Sequence, residues 1–181
     1  MRVLLTSSPL YGHFNPLVPF GRALADAGHE VTVAAPAALA EAVAHAGFRH
    51  VRAGLDRDFR DVYPQLRTLP AGPERAALVQ GGLFAGVWSR RMAADLLALA
   101  ARWSPDLVVR EEAEYGGCLA AEALGLPHAA IGVFASGAYL DWACVSFVDI
   151  PRLGARAREG SSGRCPDGTE RRTRRSSARR R

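Results

Sequence analysis

A histidine stands where its ring can exchange protons with a ligand. His13 lies in the segment G-H-F-N-P at residues 12–16, which follows the apolar residues 3–5. The apolar run predicts a first strand, and apolar residues then recur with helical spacing. His13 is therefore expected at the C-terminal end of a strand, where open α/β sheets bind ligands. Because histidine exchanges protons near neutral pH, catalysis is one interpretation. A hydrogen bond that only closes the turn is the other.

Carboxylates follow a second apolar run. Residues 107–110 read Leu-Val-Val-Arg and lead into Glu111, with Glu112 and Glu114 close behind. At the end of a fourth strand that lies beside the first, Glu111 would present its carboxylate at the same edge of the sheet as His13. Glu114 is a further candidate for that position. A solvated acidic turn is the alternative for all three glutamates.

The elements that must position these side chains alternate between strand and helix. Strands are expected near residues 2–7, 30–35, 48–53, 106–110 and 128–133, and helices near 16–27, 37–46, 89–103 and 116–125. Asn15 fits the N-cap of the first helix, with Pro16 at its first position. Gly28 and Gly47 fit the positions just past two helix ends. The alternation predicts an α/β fold with a doubly wound, Rossmann-like parallel sheet.

Residues 54–88 interrupt this alternation. Charged and aromatic residues are mixed around Phe59, prolines occupy positions 70 and 73, and residues 81–88 are apolar and rich in glycine. We expect an irregular, flexible connection here. Connections of this length inside a compact domain are usually functional or disordered. Its aromatic residues therefore either line a pocket or lie on a mobile surface loop.

Charge is distributed unevenly along the chain. All 23 basic residues among the 181 are arginine, and the formal net charge is +5. Residues 1–151 carry 12 Arg against 15 acids, a net of −3, whereas residues 152–181 carry 11 Arg against 3 acids, a net of +8. We expect a domain at 1–151 and a disordered basic tail at 152–181, which has too few apolar residues to order itself. Out-of-frame translation of GC-rich DNA explains such a tail, and phosphate binding is the alternative.

The sequence lacks the motifs of metal sites, of dinucleotide and phosphate-loop sites, and of secretory or membrane-spanning segments. Cys118, Cys144 and Cys165 show no C-x-x-C pair and no metal-ligand spacing, and Cys118 is expected to be a small core residue. The first strand-to-helix turn is not G-x-G-x-x-G, and there is no G-x-x-x-x-G-K-[ST] loop. Neither a secretory h-region nor an apolar run of membrane-spanning length is present. These patterns predict a cytoplasmic protein with no bound metal and no membrane contact.

Two blocks of the sequence resemble one enzyme family. The first is the strand, G-H-x-N-P turn and helix of residues 2–27, followed by A-G-H-E-V-T-V-A at 27–34. The second is S-P-D-L-V-V-R-E-E-A-E-Y-G-G at 104–117, which continues into A-A-E-A-L-G-L-P-H at 120–128. Together they resemble the N-terminal domain of GT-B glycosyltransferases. The actinobacterial enzymes that decorate macrolides, enediynes and other polyketides, such as the erythromycin-type desosaminyl and mycarosyl transferases, are the most similar branch.

The resemblance implies inverting transfer of a sugar from a dTDP- or UDP-sugar to a hydroxyl group of a hydrophobic natural-product acceptor. His13 would deprotonate that hydroxyl, and Glu111, where the family more often has Asp, would orient the His13 ring. The nucleotide sugar is a co-substrate, and no cofactor or metal is implied. Four aromatic residues are the candidates for acceptor binding: Phe59, Phe84, Trp88 and Tyr115.

The same family has a second domain that holds the nucleotide sugar, and residues 152–181 show none of its pattern. The sequence therefore predicts a truncated glycosyltransferase whose isolated chain binds an acceptor and transfers no sugar. One alternative is an acceptor-binding subunit whose donor domain lies on a separate chain. Another is a protein that binds nucleic acid through its tail, which has no motif beyond the arginines in its favour.

Overall fold

The computed structural model describes residues 1–56 and 62–133, which contain a parallel sheet of five strands. The spatial order of the strands is β3-β2-β1-β4-β5. The strands are β1 (Arg2–Thr6), β2 (Glu30–Ala35), β3 (Arg49–Arg52), β4 (Leu107–Glu111) and β5 (His128–Ile131). This arrangement confirms the predicted α/β fold with a Rossmann-like parallel sheet. The predicted tail at 152–181 lies outside the described residues, as do Cys144 and Cys165.

Helices connect the strands close to the predicted places. They are α1 (Tyr11–Phe14), α2 (Leu17–Asp26), a 3-10 turn (Ala37–Leu39), α3 (Ala40–His45), a second 3-10 turn (Pro64–Arg67), α4 (Pro73–Ala77), a π-helix (Leu78–Trp88), α5 (Ser89–Trp103) and α6 (Tyr115–Leu124). Gly28 and Gly47 have φ angles of 83° and 90° just past α2 and α3, so both predicted helix ends are confirmed. In the described part of the chain, no helix has the length and apolar character that crossing a membrane requires.

The parallel register places the ends of β1 and β4 side by side. Thr6, the last residue of β1, pairs with Ala34 of β2 and with Arg110 of β4. The loops that leave β1 and β4 therefore start from neighbouring points on the C-terminal edge of the sheet. His13 lies in α1, within the connection that follows β1, and Glu111 is the last residue of β4.

Hydrophobic side chains cover both faces of the sheet, since successive strand residues point to opposite faces. Leu5 of β1 is fully buried in a cluster that includes Phe14 of α1 and residues of α2 and α3. Leu4 is buried in a second cluster with Met92 and other residues of α5 and α6. The sheet between α2–α3 and α5–α6 is thus a rigid base for the loops at its C-terminal edge.

The prediction that Asn15 caps the first long helix was wrong. Residues 11–14 already form a helical turn, and Asn15 continues it with φ −55° and ψ −40°. The position before α2 is Pro16, which is also helical, and no side chain caps this end. An N-cap side chain needs an extended backbone, so the helical turn around His13 removes the geometry on which the prediction relied.

The prediction of an irregular, flexible piece at residues 81–88 was also wrong. These residues belong to the π-helix, which follows α4 and runs directly into α5, so that residues 73–103 are helical without a break. Leu83, Phe84 and Trp88 are buried in a third cluster together with Ala113. Tertiary packing of these large side chains outweighs the low helix propensity of the glycines between them.

Candidate active site

The side chains of His13 and Glu111 meet at the C-terminal edge of the sheet. Nδ1 of His13 lies 3.1 Å from Oε2 of Glu111, and the carboxylate is fully buried. The His13 ring is only 8% exposed. The adjacency of β1 and β4 produces this meeting, although the two residues are 98 positions apart in the chain. The two candidates that the sequence singled out for chemistry are therefore in contact.

Two further groups hold the Glu111 carboxylate. The Ser8 hydroxyl donates a hydrogen bond of 2.8 Å to Oε1, and the backbone N–H of Ala113 donates one of 2.7 Å to Oε2. Each oxygen of Glu111 therefore has its own donor, and Oε2 also faces His13. Sequence reasoning missed Ser8. The only signal was the run of hydroxyl residues Thr-Ser-Ser at the end of the first strand.

Aromatic rings pack against the histidine. The Phe84 ring lies 5.3 Å from the His13 ring, centroid to centroid, at an interplanar angle of 31°. Trp88 meets Phe84 edge-on, with centroids 4.9 Å apart. Both aromatic residues come from the π-helix and are more than nine-tenths buried. They place an apolar wall against the imidazole and limit the access of water to it.

A small cavity lies beside this wall. Its lining includes Ser8, Phe84, Trp88, Met92 and Glu114, and its volume is about 10 Å³. Such a space holds at most one water molecule. The indole N–H of Trp88 is buried and has no hydrogen-bond partner among the described residues. The described residues therefore leave little space between the aromatic side chains, and the Trp88 N–H has no hydrogen-bond partner among them.

Glu114 occupies a different place from Glu111. It is the N-cap of α6, where its Oε2 accepts hydrogen bonds from the Gly117 N–H at 2.8 Å and from the Thr6 hydroxyl at 2.5 Å. Burial raises the pKa of this carboxyl to about 7, and the charge of Glu111 adds to the rise. Glu114 ties the end of β1 to α6.

The alternative of a solvated acidic turn was wrong for two of the three glutamates. Glu111 is fully buried and Glu114 is 4% exposed. Glu112 is half-buried, and its Oε1 accepts a hydrogen bond from the Val133 N–H at 2.8 Å. Buried carboxylates are rare unless other groups satisfy them. These three are held by hydrogen bonds and not by water alone.

Arg110 holds the loop that carries these carboxylates. Its Nη1 donates to the backbone oxygens of Glu111, Glu112 and Glu114 at 3.2, 2.7 and 3.4 Å. Its guanidinium carbon lies 6.0 Å from the centre of the Tyr115 ring. Sequence reasoning did not identify Arg110, because an arginine at a strand end gives no sign of which way it turns.

The structure describes two of the three remaining residues that the sequence analysis singled out. Tyr115 begins α6 and packs against the cluster of Leu83, Phe84 and Trp88. Phe59 lies outside the described residues. Cys118 is buried, as expected for a small core residue, and burial raises the pKa of its thiol. Within the described ranges, no three His, Cys, Asp or Glu side chains come together in a way that could hold a metal ion.

The arrangement suits one chemical step. A carboxylate at Nδ1 of His13 favours a proton on that nitrogen, which leaves Nε2 able to accept a proton from a hydroxyl group. The carboxylate also stabilises the imidazolium that forms when Nε2 is protonated. His13 and Glu111 can therefore serve as a general base and its orienting partner.

Comparisons with known proteins show which family this chain is similar to. The model of the family "Erythromycin biosynthesis protein CIII-like, N-terminal domain" matches residues 22–141. The aklavinone 7-beta-L-rhodosaminyltransferase of Streptomyces galilaeus is 36% identical over 149 residues, which cover 71% of this chain and 34% of that enzyme. The erythronolide mycarosyltransferase of Saccharopolyspora erythraea is 34% identical over 151 residues, covering 71% of this chain and 36% of that enzyme.

Solved structures show the same fold. The glycosyltransferase SsfS6 of Streptomyces sp. SF2575 superposes with a TM-score of 0.68 at 34% identity, covering 81% of this chain and 43% of that one. The spinosyn rhamnosyltransferase in complex with spinosyn aglycone gives a TM-score of 0.61 at 26% identity, covering 79% and 38%. The chain spans about a third of the length of the curated relatives it matches. It belongs to the erythromycin biosynthesis protein CIII-like family of glycosyltransferases, whose N-terminal domain it contains.

Proposed function

We propose that the described residues form the acceptor-binding half of an inverting glycosyltransferase, with His13 as its general base. The observation that carries the proposal is the buried contact of 3.1 Å between Nδ1 of His13 and Oε2 of Glu111. His13 lies in α1, directly after β1, and Glu111 ends β4, so both lie at the C-terminal edge of a parallel sheet, which is where ligands of such sheets bind.

The step that follows from this geometry begins at Nε2 of His13. Nε2 takes the proton of an acceptor hydroxyl while the hydroxyl oxygen attacks the anomeric carbon of a nucleotide sugar. The bond from that carbon to the diphosphate oxygen breaks, and the nucleoside diphosphate leaves with the bonding electrons. Attack from the side opposite the leaving group inverts the anomeric centre. Glu111 holds the ring in place and stabilises the imidazolium.

The acceptor is proposed to be a hydrophobic aglycone that contacts Phe84, Trp88 and Tyr115. Support comes from the apolar wall beside His13 and from the related rhamnosyltransferase that was crystallised with its aglycone. The cavity of about 10 Å³ is too small for such a molecule, so we propose that the acceptor separates the aromatic side chains. The unused N–H of Trp88 would then donate a hydrogen bond to an acceptor oxygen.

The nucleotide sugar is proposed to bind outside the described residues. A related glycosyltransferase was solved with thymidine diphosphate, and this chain covers 42% of that protein. We therefore propose a dTDP-sugar as the co-substrate, held by a donor domain that continues the same protein or lies on a separate chain. On this proposal the 181 residues alone bind an acceptor and transfer no sugar.

Acceptor binding by the 181-residue chain tests the proposal. Macrolide and anthracycline aglycones are titrated while tryptophan fluorescence is followed, since Trp88 lies beside the proposed site. Phe84→Ala should weaken binding at least tenfold, because Phe84 packs on the His13 ring. Phe20→Ala is the matched control, as Phe20 is 53% exposed on α2, and it should bind like the parent. Equal affinities for all three proteins, or sugar transfer by the 181 residues alone, would contradict the proposal.

A further inference from the structure

We propose that Ser8 is a positioning residue, which fixes the carboxylate of Glu111 so that His13 keeps its proton on Nδ1 and carries none on Nε2. The inference rests on the proposed function, because it assigns Ser8 to the same base. Ser8 contacts neither the acceptor hydroxyl nor the sugar in this assignment and acts only through Glu111.

The contacts of the Glu111 carboxylate divide between its two oxygens. Oε1 accepts the hydrogen bond of 2.8 Å from the Ser8 hydroxyl. Oε2 accepts the bond of 2.7 Å from the Ala113 N–H and lies 3.1 Å from His13 Nδ1. A carboxylate that is held at one oxygen only can rotate about its last bond. With Ser8 on Oε1, rotation breaks a charge-assisted hydrogen bond, so Oε2 stays directed at the histidine.

The backbone that carries the Ser8 hydroxyl is itself held by hydrogen bonds. Ser8 is 4% exposed, and its carbonyl oxygen accepts hydrogen bonds from the Leu10 N–H at 2.8 Å and from the Ser7 hydroxyl at 3.0 Å. The Ser7 N–H in turn donates to the carbonyl of Ala34, at 3.3 Å, at the end of β2. The backbone of Ser8 is therefore held by hydrogen bonds on both sides while its hydroxyl donates to Glu111.

Glutamate makes this support necessary. Its side chain has one more rotatable bond than aspartate, so its carboxylate reaches the histidine with more freedom to turn. A group that orients a histidine determines which ring nitrogen carries the proton, and the wrong tautomer removes the base. Loss of the Ser8 hydroxyl should therefore change the tautomer of His13 without moving the backbone around it.

Nitrogen NMR of the full 181-residue chain tests the proposal directly. The two ring nitrogens of His13 are observed in alkaline buffer, where imidazole rings are neutral, and their chemical shifts give the tautomer ratio. Four variants are compared with the parent: Ser8→Ala, Ser8→Thr, Thr32→Val and Glu111→Gln. Thr32→Val is the matched control, since it removes a buried hydroxyl of β2 that has no hydrogen-bond partner among the described residues.

We expect the parent and Thr32→Val to hold the proton on Nδ1. In Ser8→Ala the preference for that tautomer should fall by roughly tenfold to a hundredfold, the equivalent of one hydrogen bond to a charged group. Ser8→Thr, which keeps the hydroxyl, should restore it. If Ser8→Ala does not fold, Ser8→Cys replaces it, and its weak S–H donor should give the same direction of change.

The outcomes separate the two proposals. A parent tautomer in Ser8→Ala together with an altered one in Glu111→Gln would overturn the role of Ser8 and leave the His13–Glu111 pair intact. A proton on Nε2 of His13 in the parent, or a parent tautomer in Glu111→Gln, would contradict the orienting role of Glu111 in the proposed function. An equal change in Thr32→Val and Ser8→Ala would also overturn the assignment, since it would reflect the loss of any buried hydroxyl and not the contact with Glu111.

Discussion

Replacing Glu114 with glutamine should remove a large pH dependence from the stability of this domain. The Glu114 carboxyl is 4% exposed, and burial raises its pKa from 4.5 to about 7. The hydrogen bonds from Thr6 and Gly117 lower the pKa but do not cancel the effect of burial. The folded protein therefore binds this proton more tightly than the unfolded chain does.

The sign and size of the effect follow from that difference. Below pH 4.5 the carboxyl is protonated in both states and contributes no pH dependence. As the pH rises through the interval from 4.5 to about 7, the unfolded chain loses the proton first, so the free energy of unfolding falls. At 1.36 kcal/mol for each pH unit, the total fall is about 3 kcal/mol. Above the folded pKa the fall is complete.

Urea denaturation at a series of pH values and constant ionic strength measures this quantity. The difference in unfolding free energy between Glu114→Gln and the parent should move by about 3 kcal/mol in favour of the variant between pH 4.5 and 8. Glu41→Gln is the control, because Glu41 is exposed in the first turn of α3, and its curve should parallel that of the parent. Parallel curves for Glu114→Gln as well would refute the reasoning about burial.

Two further predictions concern packing around the same loop. Gly117→Ala should destabilise the fold by roughly 1–3 kcal/mol, because its Cβ would lie 2.5 Å from the Thr6 hydroxyl oxygen and 2.6 Å from Glu114 Oε2. Gly81→Ala should instead stabilise the fold by roughly 0.5–1 kcal/mol, because a Cβ at Gly81 of the π-helix meets open space. Thermal unfolding of both variants checks the contrast, and a loss of stability in Gly81→Ala equal to that in Gly117→Ala would contradict it. Arg110→Met should lower the free energy of unfolding by about 1–3 kcal/mol, since three backbone oxygens lose their donor. Arg102 is an exposed arginine of α5, so the stability of Arg102→Met should stay within about 0.5 kcal/mol of the parent. Urea unfolding at one pH measures the stability of both variants, and equal effects would contradict the role of Arg110 in holding the loop after β4.

The sheet and the His13–Glu111 pair could be predicted because they depend on short, regular patterns. Apolar runs mark the strands, glycine marks the ends of α2 and α3, and the parallel order brings the ends of β1 and β4 together. Once that order is assumed, a histidine after β1 and a glutamate at the end of β4 must lie near each other.

The contacts that hold this pair could not be predicted from such patterns. Ser8 and Glu111 are 103 positions apart, and only the structure shows which hydroxyl of the Thr-Ser-Ser run points at the carboxylate. Glu114 as a helix N-cap was missed because serine, threonine, aspartate and asparagine are the residues preferred there.

Local propensity misled at two places for related reasons. Glycines at 81, 82 and 86 suggested a flexible, irregular segment. Burial of Phe84 and Trp88 in the cluster that includes Ala113 instead keeps the segment helical. Asn15 suggested a helix start, but the backbone was already helical through His13. In both cases packing around the candidate site decided the conformation.

The most direct test of His13 as a base uses a working enzyme. Residues 1–133 of this chain replace the matching segment of the aklavinone rhodosaminyltransferase from Streptomyces galilaeus, to which it is 36% identical, and single-turnover transfer from a dTDP-sugar is measured with saturating aglycone. We predict that His13→Ala lowers the rate of transfer by about 10²–10⁴-fold while the dissociation constant of the aglycone stays within about twofold of the parent. Transfer by the His13→Ala enzyme at the parent rate would contradict the central claim.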